Sequence, residues 1–153
     1  MDTKLIATIN YITIKLGTTD ISRKKLNLLL YYCQAWHLVL TAENNNQSKL
    51  EKLSLFNTDF IAGIHGPLIQ NLNYKYATSI FKHQLNYVLS SDELDTINQV
   101  INQYGALNAN ELEAIATKEF PWLNARSNLK SNQPSNNIIS KKDIFDFYAL
   151  KLT

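Results

Sequence analysis

The stretch that decides the fold of this chain is KLNLLLYYCQAWHL, residues 25–38. It has the composition of an apolar helix, but two adjacent tyrosines, Tyr31 and Tyr32, and the run QAWH at residues 34–37 interrupt the leucines. A helix that only fills a core would carry leucine or alanine at most of those positions. Tyrosine and tryptophan join an apolar body to a hydrogen-bonding group. The stretch therefore predicts a helix with much of its surface both apolar and able to form hydrogen bonds.

The length and composition of the chain predict one domain, residues 1–153. A chain of 153 residues, 45% of them hydrophobic, is long enough to bury a sizeable core. No apolar run approaches the roughly 20 residues of a membrane span, and no signal-peptide pattern follows Asp2 and Lys4. The single cysteine, Cys33, excludes an internal disulfide. We expect a cytoplasmic protein, since the cytoplasm keeps thiols reduced.

The charge of the chain argues against nucleic acid as a partner. The formal net charge is only +2, although residues 1–82 carry nine Lys/Arg against five Asp/Glu. The cluster Arg23-Lys24-Lys25 stands at a predicted helix start, where such a cluster is more typical of a solvated turn than of a phosphate-binding site. DNA-binding surfaces show wider basic stripes than this one.

Two helices are predicted in the first third of the chain. Apolar residues recur at helical spacing over residues 4–16, and Gly17 ends that helix. Asp20 or Ser22 caps a second helix, which runs to about Thr41. Residues 53–64 alternate only in part, so both a strand and a short helix stay open there, with the length favouring a strand or extended segment. The inward face of the second helix is predicted to comprise Leu26, Leu29, Leu30, Cys33, Trp36, His37 and Leu40.

Capping residues predict three helices in the second half. Ser90, Asn108 and Ser140 each precede an acidic residue by three positions, which is the spacing of a helix N-terminal cap. Gly105 is expected to end the first of these helices. The helices are predicted to cover residues 90–104, 108–118 and 140–150.

Prolines and asparagines mark the remaining boundaries. Pro67 is expected to begin a short helix over residues 68–76, and Pro121 with Trp122 to end the helix over residues 108–118. The Asn- and Ser-rich residues 127–137 are predicted to form a long surface loop. The expected fold class is mainly α: a compact single-domain bundle of about six helices, with or without a short β segment near residues 53–64.

The sequence lacks the patterns of catalytic and metal sites. None of the three histidines, His37, His65 and His83, has ligand spacing to another histidine. Cys33 and His37 share a helix face, but a core cysteine and a hydrogen-bonded histidine explain that pair more simply than the start of a metal site. With four glycines in the chain, no glycine-rich phosphate loop is present. We expect no metal, no cofactor and no enzymatic activity.

Two short motifs allow both a structural and a binding interpretation. His65-Gly66-Pro67 is typical of a turn, since glycine before proline permits a backbone path that a side chain would hinder. The alternative is a loop that contacts a ligand. Trp122 follows Pro121 at the expected helix stop, where it either fills the core or rim or anchors a partner.

Together these motifs resemble the Panacea domain family, which includes SocA-like antitoxins and GepA-type phage-associated proteins. The family signature is close to K-L-x-K-L-L-Y-Y-x-Q-A-W-H-L, and residues 25–38 match it. A later family motif, A-W-x-x-G-P-V-x-P, corresponds to residues 62–70. A third, T-H-x-x-x-P-W-x-x-A-R followed by I-S, corresponds to residues 117–126, which have one residue fewer before the proline, and to residues 139–140. The resemblance covers nearly the whole chain in the expected order.

Besides the conservative Leu68 in place of valine, the chain departs from the family motifs at four positions. Leu28 stands in place of the second lysine of the signature, and Gly63 in place of the tryptophan before Gly-Pro. Gln70 replaces the later proline, and Lys118 replaces the histidine after the threonine. If those family positions line a shared contact face, this chain has remodelled that face.

The resemblance implies an antitoxin of a toxin–antitoxin system that neutralises a protein toxin encoded by an adjacent gene through direct binding. Two alternatives stay open: an adaptor that delivers the toxin to a cellular protease, and a phage- or mobile-element-associated domain that senses a small molecule in a pocket around His37 and His65. A homo-oligomer is also compatible with an aromatic helix surface. The predicted partner-binding residues are Tyr31, Tyr32, Gln34, Trp36, His37, His65, Gly66, Pro67 and Trp122.

Overall fold

The computed structural model describes residues 2–17, 21–42, 50–72 and 88–152, and in these ranges the protein is mainly α-helical, as predicted. One two-stranded antiparallel hairpin accompanies the helices. The strands are β1 (Ile61–Gly63) and β2 (Gly66–Leu68). The helices are α1 (Thr3–Leu16), α2 (Arg23–Leu40), α3 (Leu50–Leu53), α4 (Ser91–Tyr104), α5 (Ala109–Ala116), α6 (Phe120–Arg126) and α7 (Lys141–Lys151).

Local sequence signals fix the ends of α1 and the start of α2. The Asp2 carboxylate accepts a hydrogen bond from the Lys4 backbone N–H at 2.8 Å and caps α1. Gly17 ends α1 with a φ of 68°, a left-handed conformation that glycine adopts without steric cost. The cap of α2 is Ser22, whose hydroxyl oxygen accepts from the Lys25 N–H.

Helix α2 is the centre of the bundle, because it packs against α1, α3, α4, α5, α7 and β2. The predicted inward face of α2 is confirmed at most of its positions, since Leu26, Leu29, Leu30, Cys33 and His37 are buried and Trp36 is half-buried. It is wrong at Leu40 and too narrow. Leu40 is exposed, and several residues of α2 that the prediction left off the inward face are buried as well. A helical period separates a buried from an exposed face only where one side meets solvent. Neither α2 nor any other described helix has the length and apolarity that a membrane crossing requires. The additional buried residues include Leu28, Tyr31, Tyr32, Gln34, Ala35 and Leu38.

The stretch that the sequence left open, residues 53–64, contains the end of α3, an irregular segment and strand β1. Gly66 begins β2 with a φ of 108°, which a residue with a Cβ rarely adopts. Residues 64 and 65 form the turn between the strands. The register of the hairpin is Ile61↔Leu68, Ala62↔Pro67 and Gly63↔Gly66.

Residues 137–139 cover the second edge of β1. The Ala62 N–H donates to the Asn137 carbonyl at 2.9 Å, and the Ile139 N–H donates to the Phe60 carbonyl at 2.8 Å. These bonds form a β-bridge on the side of β1 that β2 leaves unpaired. The short hairpin therefore does not end in an open strand edge at β1.

The helix predicted over residues 68–76 is wrong at its start. Leu68 belongs to β2, and Asn71 has a φ of 59°, which a right-handed helix excludes. A contact with α2 explains the extended path: Oδ1 of Asn27 accepts a hydrogen bond from the Ile69 N–H at 2.8 Å. Residues 73–76 of the predicted helix lie outside the described residues.

The three helices predicted from capping residues are confirmed. Ser90 with Glu93, and Asn108 with Glu111, form reciprocal capping boxes at the starts of α4 and α5. Ser140 caps α7 by accepting from a backbone N–H. Residues 127–137 contain no helix or strand, as predicted for a loop.

The interpretation of Pro121 as a helix stop is wrong. Helix α5 already ends at Ala116, and Pro121 lies in the first turn of α6. Proline is compatible with that position because the first N–H groups of a helix have no intrahelical acceptor. The segment after the proline is thus a helix, and its outward face matters below.

Candidate functional site

Gln34 of α2 points into the core and holds the segment before β1. Its Nε2 donates to the Phe56 carbonyl at 2.7 Å, and its Oε1 accepts from the Leu55 N–H at 2.7 Å. The side chain is buried. An amide suits this position because it carries both a donor and an acceptor. One side chain therefore satisfies backbone groups on two consecutive residues in the interior.

His37 joins α2 to α4. Its Nδ1 lies 3.0 Å from Oγ1 of Thr96, whose hydroxyl donates to the Asp92 carbonyl. The ring nitrogen is therefore the donor in the contact with Thr96. Burial lowers the pKa of His37 below its ordinary value against the opposing charge of Glu93. His37 is a neutral, hydrogen-bonded core side chain at neutral pH.

A cluster of aromatic side chains around Glu119 joins α2 to α7. The hydroxyls of Tyr32 and Tyr148 both donate to Oε1 of Glu119, at 3.1 and 2.5 Å. Burial raises the pKa of the Glu119 carboxyl, and the two hydrogen bonds offset that rise only in part. The Tyr32 ring stacks on Tyr104 with centroids 4.2 Å apart, and Nε1 of Trp36 donates to the Tyr104 hydroxyl at 3.0 Å. Tyr32 and Trp36 thus belong to one polar network, whereas the buried Tyr31 hydroxyl has no hydrogen-bond partner among the described residues.

Trp122 and Arg126 of α6 hold the β hairpin. Nε1 of Trp122 donates to the Gly63 carbonyl at 2.9 Å, and Nη1 of Arg126 donates to the Ala62 carbonyl at 3.1 Å. The guanidinium also lies over the Trp122 ring. A spacing of four places both side chains on one face of the helix. The third family motif therefore positions the second.

The structure does not bring the predicted partner-binding residues to one accessible surface. Neighbouring elements enclose α2, and Tyr31, Tyr32, Gln34 and His37 are buried there. His37 contacts α4, whereas Nδ1 of His65 lies 3.3 Å from a carboxylate oxygen of Glu113 on α5. Trp36 is half-buried and His65 is exposed. The other seven predicted partner-binding residues are buried: Tyr31, Tyr32, Gln34, His37, Gly66, Pro67 and Trp122. The assignment of all nine residues to partner binding stays a prediction.

The four departures from the family motifs divide between the interior and the surface. A Cβ added at Gly63 would lie 2.4 Å from Cδ2 of Leu68, so a larger residue at position 63 requires Leu68 to move. Leu28 is buried on α2 beside the hairpin. The other two departures are exposed: Gln70 and Lys118.

The surface between α6 and α7 exposes large apolar side chains that the sequence motifs did not predict as contact residues. Phe120 and Leu123 of α6 are 46% and 49% exposed, and Leu150 of α7 is 73% exposed. A groove of about 300 Å³ lies there. Phe120 and Leu123 are three residues apart and therefore lie on one face of α6. This spacing was not recognised because Pro121 was predicted to end a helix, so no helix was expected over these residues. We use the name α6–α7 surface for Phe120, Leu123, Asp143, Asp146, Phe147 and Leu150.

A second concave region lies between the start of α2 and the β hairpin, and we call it the hairpin cavity. Its volume is about 490 Å³. Lys24 and His65 in its lining both pair with Glu113. These two side chains lower the pKa of the Glu113 carboxyl against the opposing effect of its partial burial. The lining residues are Arg23, Lys24, Asn27, His65, Gly66, Pro67, Leu68, Ile69, Asn71 and Leu72.

Cys33 of α2 lies in the core. Cys33 is buried, and burial raises the pKa of its thiol, which keeps the sulfur protonated. Within the described ranges, no three histidine, cysteine or acidic side chains form a group that could hold a metal ion.

Comparison with known families gives a match over the middle of the chain. A family model described as "Antitoxin SocA-like, Panacea domain" matches residues 26–123. That range is more than half of the chain and includes most of α2, both strands, α4, α5 and the first turn of α6. No curated protein and no solved structure matches the chain significantly.

Proposed function

The chain belongs to the family of antitoxin SocA-like Panacea domains, and on that basis we propose that it is an antitoxin that neutralises a protein toxin encoded by an adjacent gene. The proposed mechanism is stoichiometric masking, in which the toxin is inactive while it is bound. The observation that carries the proposal is the α6–α7 surface, an apolar face of the folded protein that its own core does not use. No bond is made or broken in this mechanism.

The apolar part of the α6–α7 surface is suited to a protein partner. Phe120, Leu123 and Leu150 are large side chains with about half or more of their area exposed. Contiguous exposed apolar residues mark interaction sites more often than isolated ones do. Removing such area from water on binding contributes about 25 cal/mol per Å² before the costs of association.

Asp143 at the border of the α6–α7 surface favours a partner with a basic residue, whereas Lys142 already pairs with Asp146. Asp143 accepts a hydrogen bond from Nδ2 of Asn124 at 2.7 Å, and Asp146 pairs with Lys142 at 2.7 Å. Both carboxylates line the groove beside Phe147 and Leu150. A toxin segment that places Lys or Arg beside apolar side chains complements this arrangement.

The buried family signature supports the α6–α7 surface from within. Glu119 is the residue before α6, and it accepts hydrogen bonds from Tyr32 of α2 and Tyr148 of α7. These bonds fix the start of α6 relative to α7. In this proposal the signature positions the contact residues and does not itself touch the toxin.

Co-expression tests the proposed function. The adjacent gene is expressed alone and together with this chain, and both growth and toxin abundance are measured. We expect growth arrest by the toxin alone, and restored growth at unchanged toxin abundance when both are expressed, because masking leaves the toxin intact. Rescue with a protease-dependent fall in toxin contradicts masking. Absence of toxicity from either neighbouring gene contradicts the antitoxin proposal itself.

A matched pair of variants tests the α6–α7 surface. Leu150→Asp places a charge on the groove and should weaken toxin binding at least about tenfold, because that charge must be desolvated on binding. Ile14→Asp is the control: it makes the same kind of change at a 55% exposed residue in the last turn of α1. Calorimetric titration with purified toxin should show loss for the first variant and normal affinity for the second. Equal affinities of the two variants contradict the assignment of this surface.

A further inference from the structure

We propose that the hairpin cavity binds a small amphipathic anion, a molecule with an apolar body and one carboxylate or phosphate group. The hairpin cavity shares no residue with the α6–α7 surface. This second site therefore adds ligand binding to the proposed antitoxin role and does not depend on it.

The size and the walls of the cavity are suited to a small molecule with an apolar body. Its volume of about 490 Å³ falls in the range of about 300–1,000 Å³ that is typical of small-molecule sites. Pro67, Leu68, Ile69 and Leu72 contribute apolar lining. Burial of a ring or alkyl group against these side chains supplies affinity, while the polar lining supplies direction.

Arg23 is the group that selects an anion. Its side chain lines the cavity, and it bonds to no side chain in the part of the chain that the structure describes. A guanidinium presents paired N–H donors that match the oxygens of a carboxylate or phosphate. Lys24 adds positive charge beside it, although Glu113 already pairs with that ammonium group. Among the described residues that line this cavity, Arg23 is thus the cation that remains available to a ligand.

The walls of the cavity are held in place before a ligand binds. Asn27 donates from Nδ2 to the Arg23 carbonyl at 3.0 Å and accepts at Oδ1 from the Ile69 N–H at 2.8 Å. It thereby ties the first turn of α2 to the segment that follows β2. Trp122 and Arg126 hold the other strand of the hairpin. A preformed site loses less conformational entropy on binding than a flexible one.

Three probes with one common ring system test the proposal. 1-Naphthyl phosphate, 1-naphthaleneacetate and the neutral 1-naphthaleneacetamide are titrated into the ¹⁵N-labelled full chain, and amide shifts are recorded by NMR. We expect saturable shifts at Gly66, Leu68 and Ile69 with an anion, and at least about tenfold weaker binding of the neutral amide. The tighter of the two anions identifies the preferred group as phosphate or carboxylate.

A pair of charge-removing variants completes the test. Arg23→Gln should bring anion affinity down to that of the neutral amide, while the rest of its amide spectrum stays that of the folded protein. Lys52→Gln removes an exposed cation outside the cavity and should leave anion affinity unchanged. Equal binding of charged and neutral probes, retained discrimination in Arg23→Gln, or no saturable shift at the hairpin overturns the proposal.

Discussion

Helix α2 and the α6–α7 surface use their residues in opposite ways. The unusual residues of α2, such as Gln34 and His37, are buried and hydrogen-bonded, whereas common apolar residues such as Phe120 and Leu150 face outward. A polar side chain in a core must match its partner in position and in donor or acceptor character. An exposed leucine has no such demand. In this protein a distinctive motif marks the interior, and the candidate contact surface consists of ordinary residues.

Gln34→Leu tests the interior side of this comparison and has the largest expected effect. The substitution removes the partners of the Leu55 N–H and the Phe56 carbonyl. We expect the free energy of unfolding to fall by about 3 kcal/mol, since each buried unpaired group costs about 1–3 kcal/mol. Urea denaturation followed by circular dichroism measures the change.

Gln103→Leu on α4 is the matched control, because Gln103 is exposed. It should change the free energy of unfolding by less than about 0.5 kcal/mol. Similar losses for the two variants would remove the contrast between α2 and an ordinary helix surface.

Substitutions of the two tryptophans, one buried and one half-buried, should lower the free energy of unfolding by intermediate amounts. Trp122→Phe leaves the Gly63 carbonyl without the indole donor in a buried position and should cost about 2 kcal/mol. Trp36→Phe removes a bond to the Tyr104 hydroxyl at a half-buried position and should cost less, about 1 kcal/mol. Thermal and urea unfolding of both variants decide the order. The reverse order would mean that the hairpin is not held by α6.

Glu119→Gln has the smallest expected effect, and its sign depends on pH. The pKa of the Glu119 carboxyl is raised in the folded state. At pH values just above the ordinary carboxyl pKa, this group therefore stays protonated in the folded protein while it is ionised in the unfolded chain. The free energy of unfolding therefore falls through that range. Glutamine retains an oxygen acceptor for Tyr32 and Tyr148 and does not titrate. We expect a Tm about 1–3 °C above wild type at pH 7.5 and an equal Tm at pH 4.

Asp95→Asn controls for the loss of one negative charge, because Asp95 is an exposed residue of α4. Differential scanning calorimetry of both variants at the two pH values measures the effect. A gain for Glu119→Gln that is as large at pH 4 as at pH 7.5 would show that titration of Glu119 is not its cause.

Local signals predicted the helix ends but not what surrounds them. Ser90 and Asn108 start helices as predicted, because a capping box is complete within four residues. Pro121 misled the prediction, since proline is compatible with both the position after one helix and the first turn of the next. The extended path at Ile69 depends on a hydrogen bond to Asn27, a contact that sequence spacing does not reveal.

The candidate site was less predictable than the fold because its geometry depends on distant residues. The signature residues were recognisable by type, but their orientation follows from partners far along the chain. Gln34 binds Phe56, and Tyr32 binds Glu119. Leu150 is exposed because the neighbouring described elements do not pack over it. The sequence of α7 alone does not show which residues its neighbours cover. Residue type identified a motif, and tertiary packing decided whether it faces inward.

The β-bridge between Ile61 and Ile138 joins residues that are synthesised at different times, so it can form only late in translation. Strand β1 leaves the ribosome long before the residues that cover its second edge, and Tyr32 leaves long before Tyr148. Because contacts so distant in sequence form late, the nascent chain displays the aromatic residues of α2 while synthesis continues. The native enclosure of α2 is therefore complete only after α7 has been synthesised.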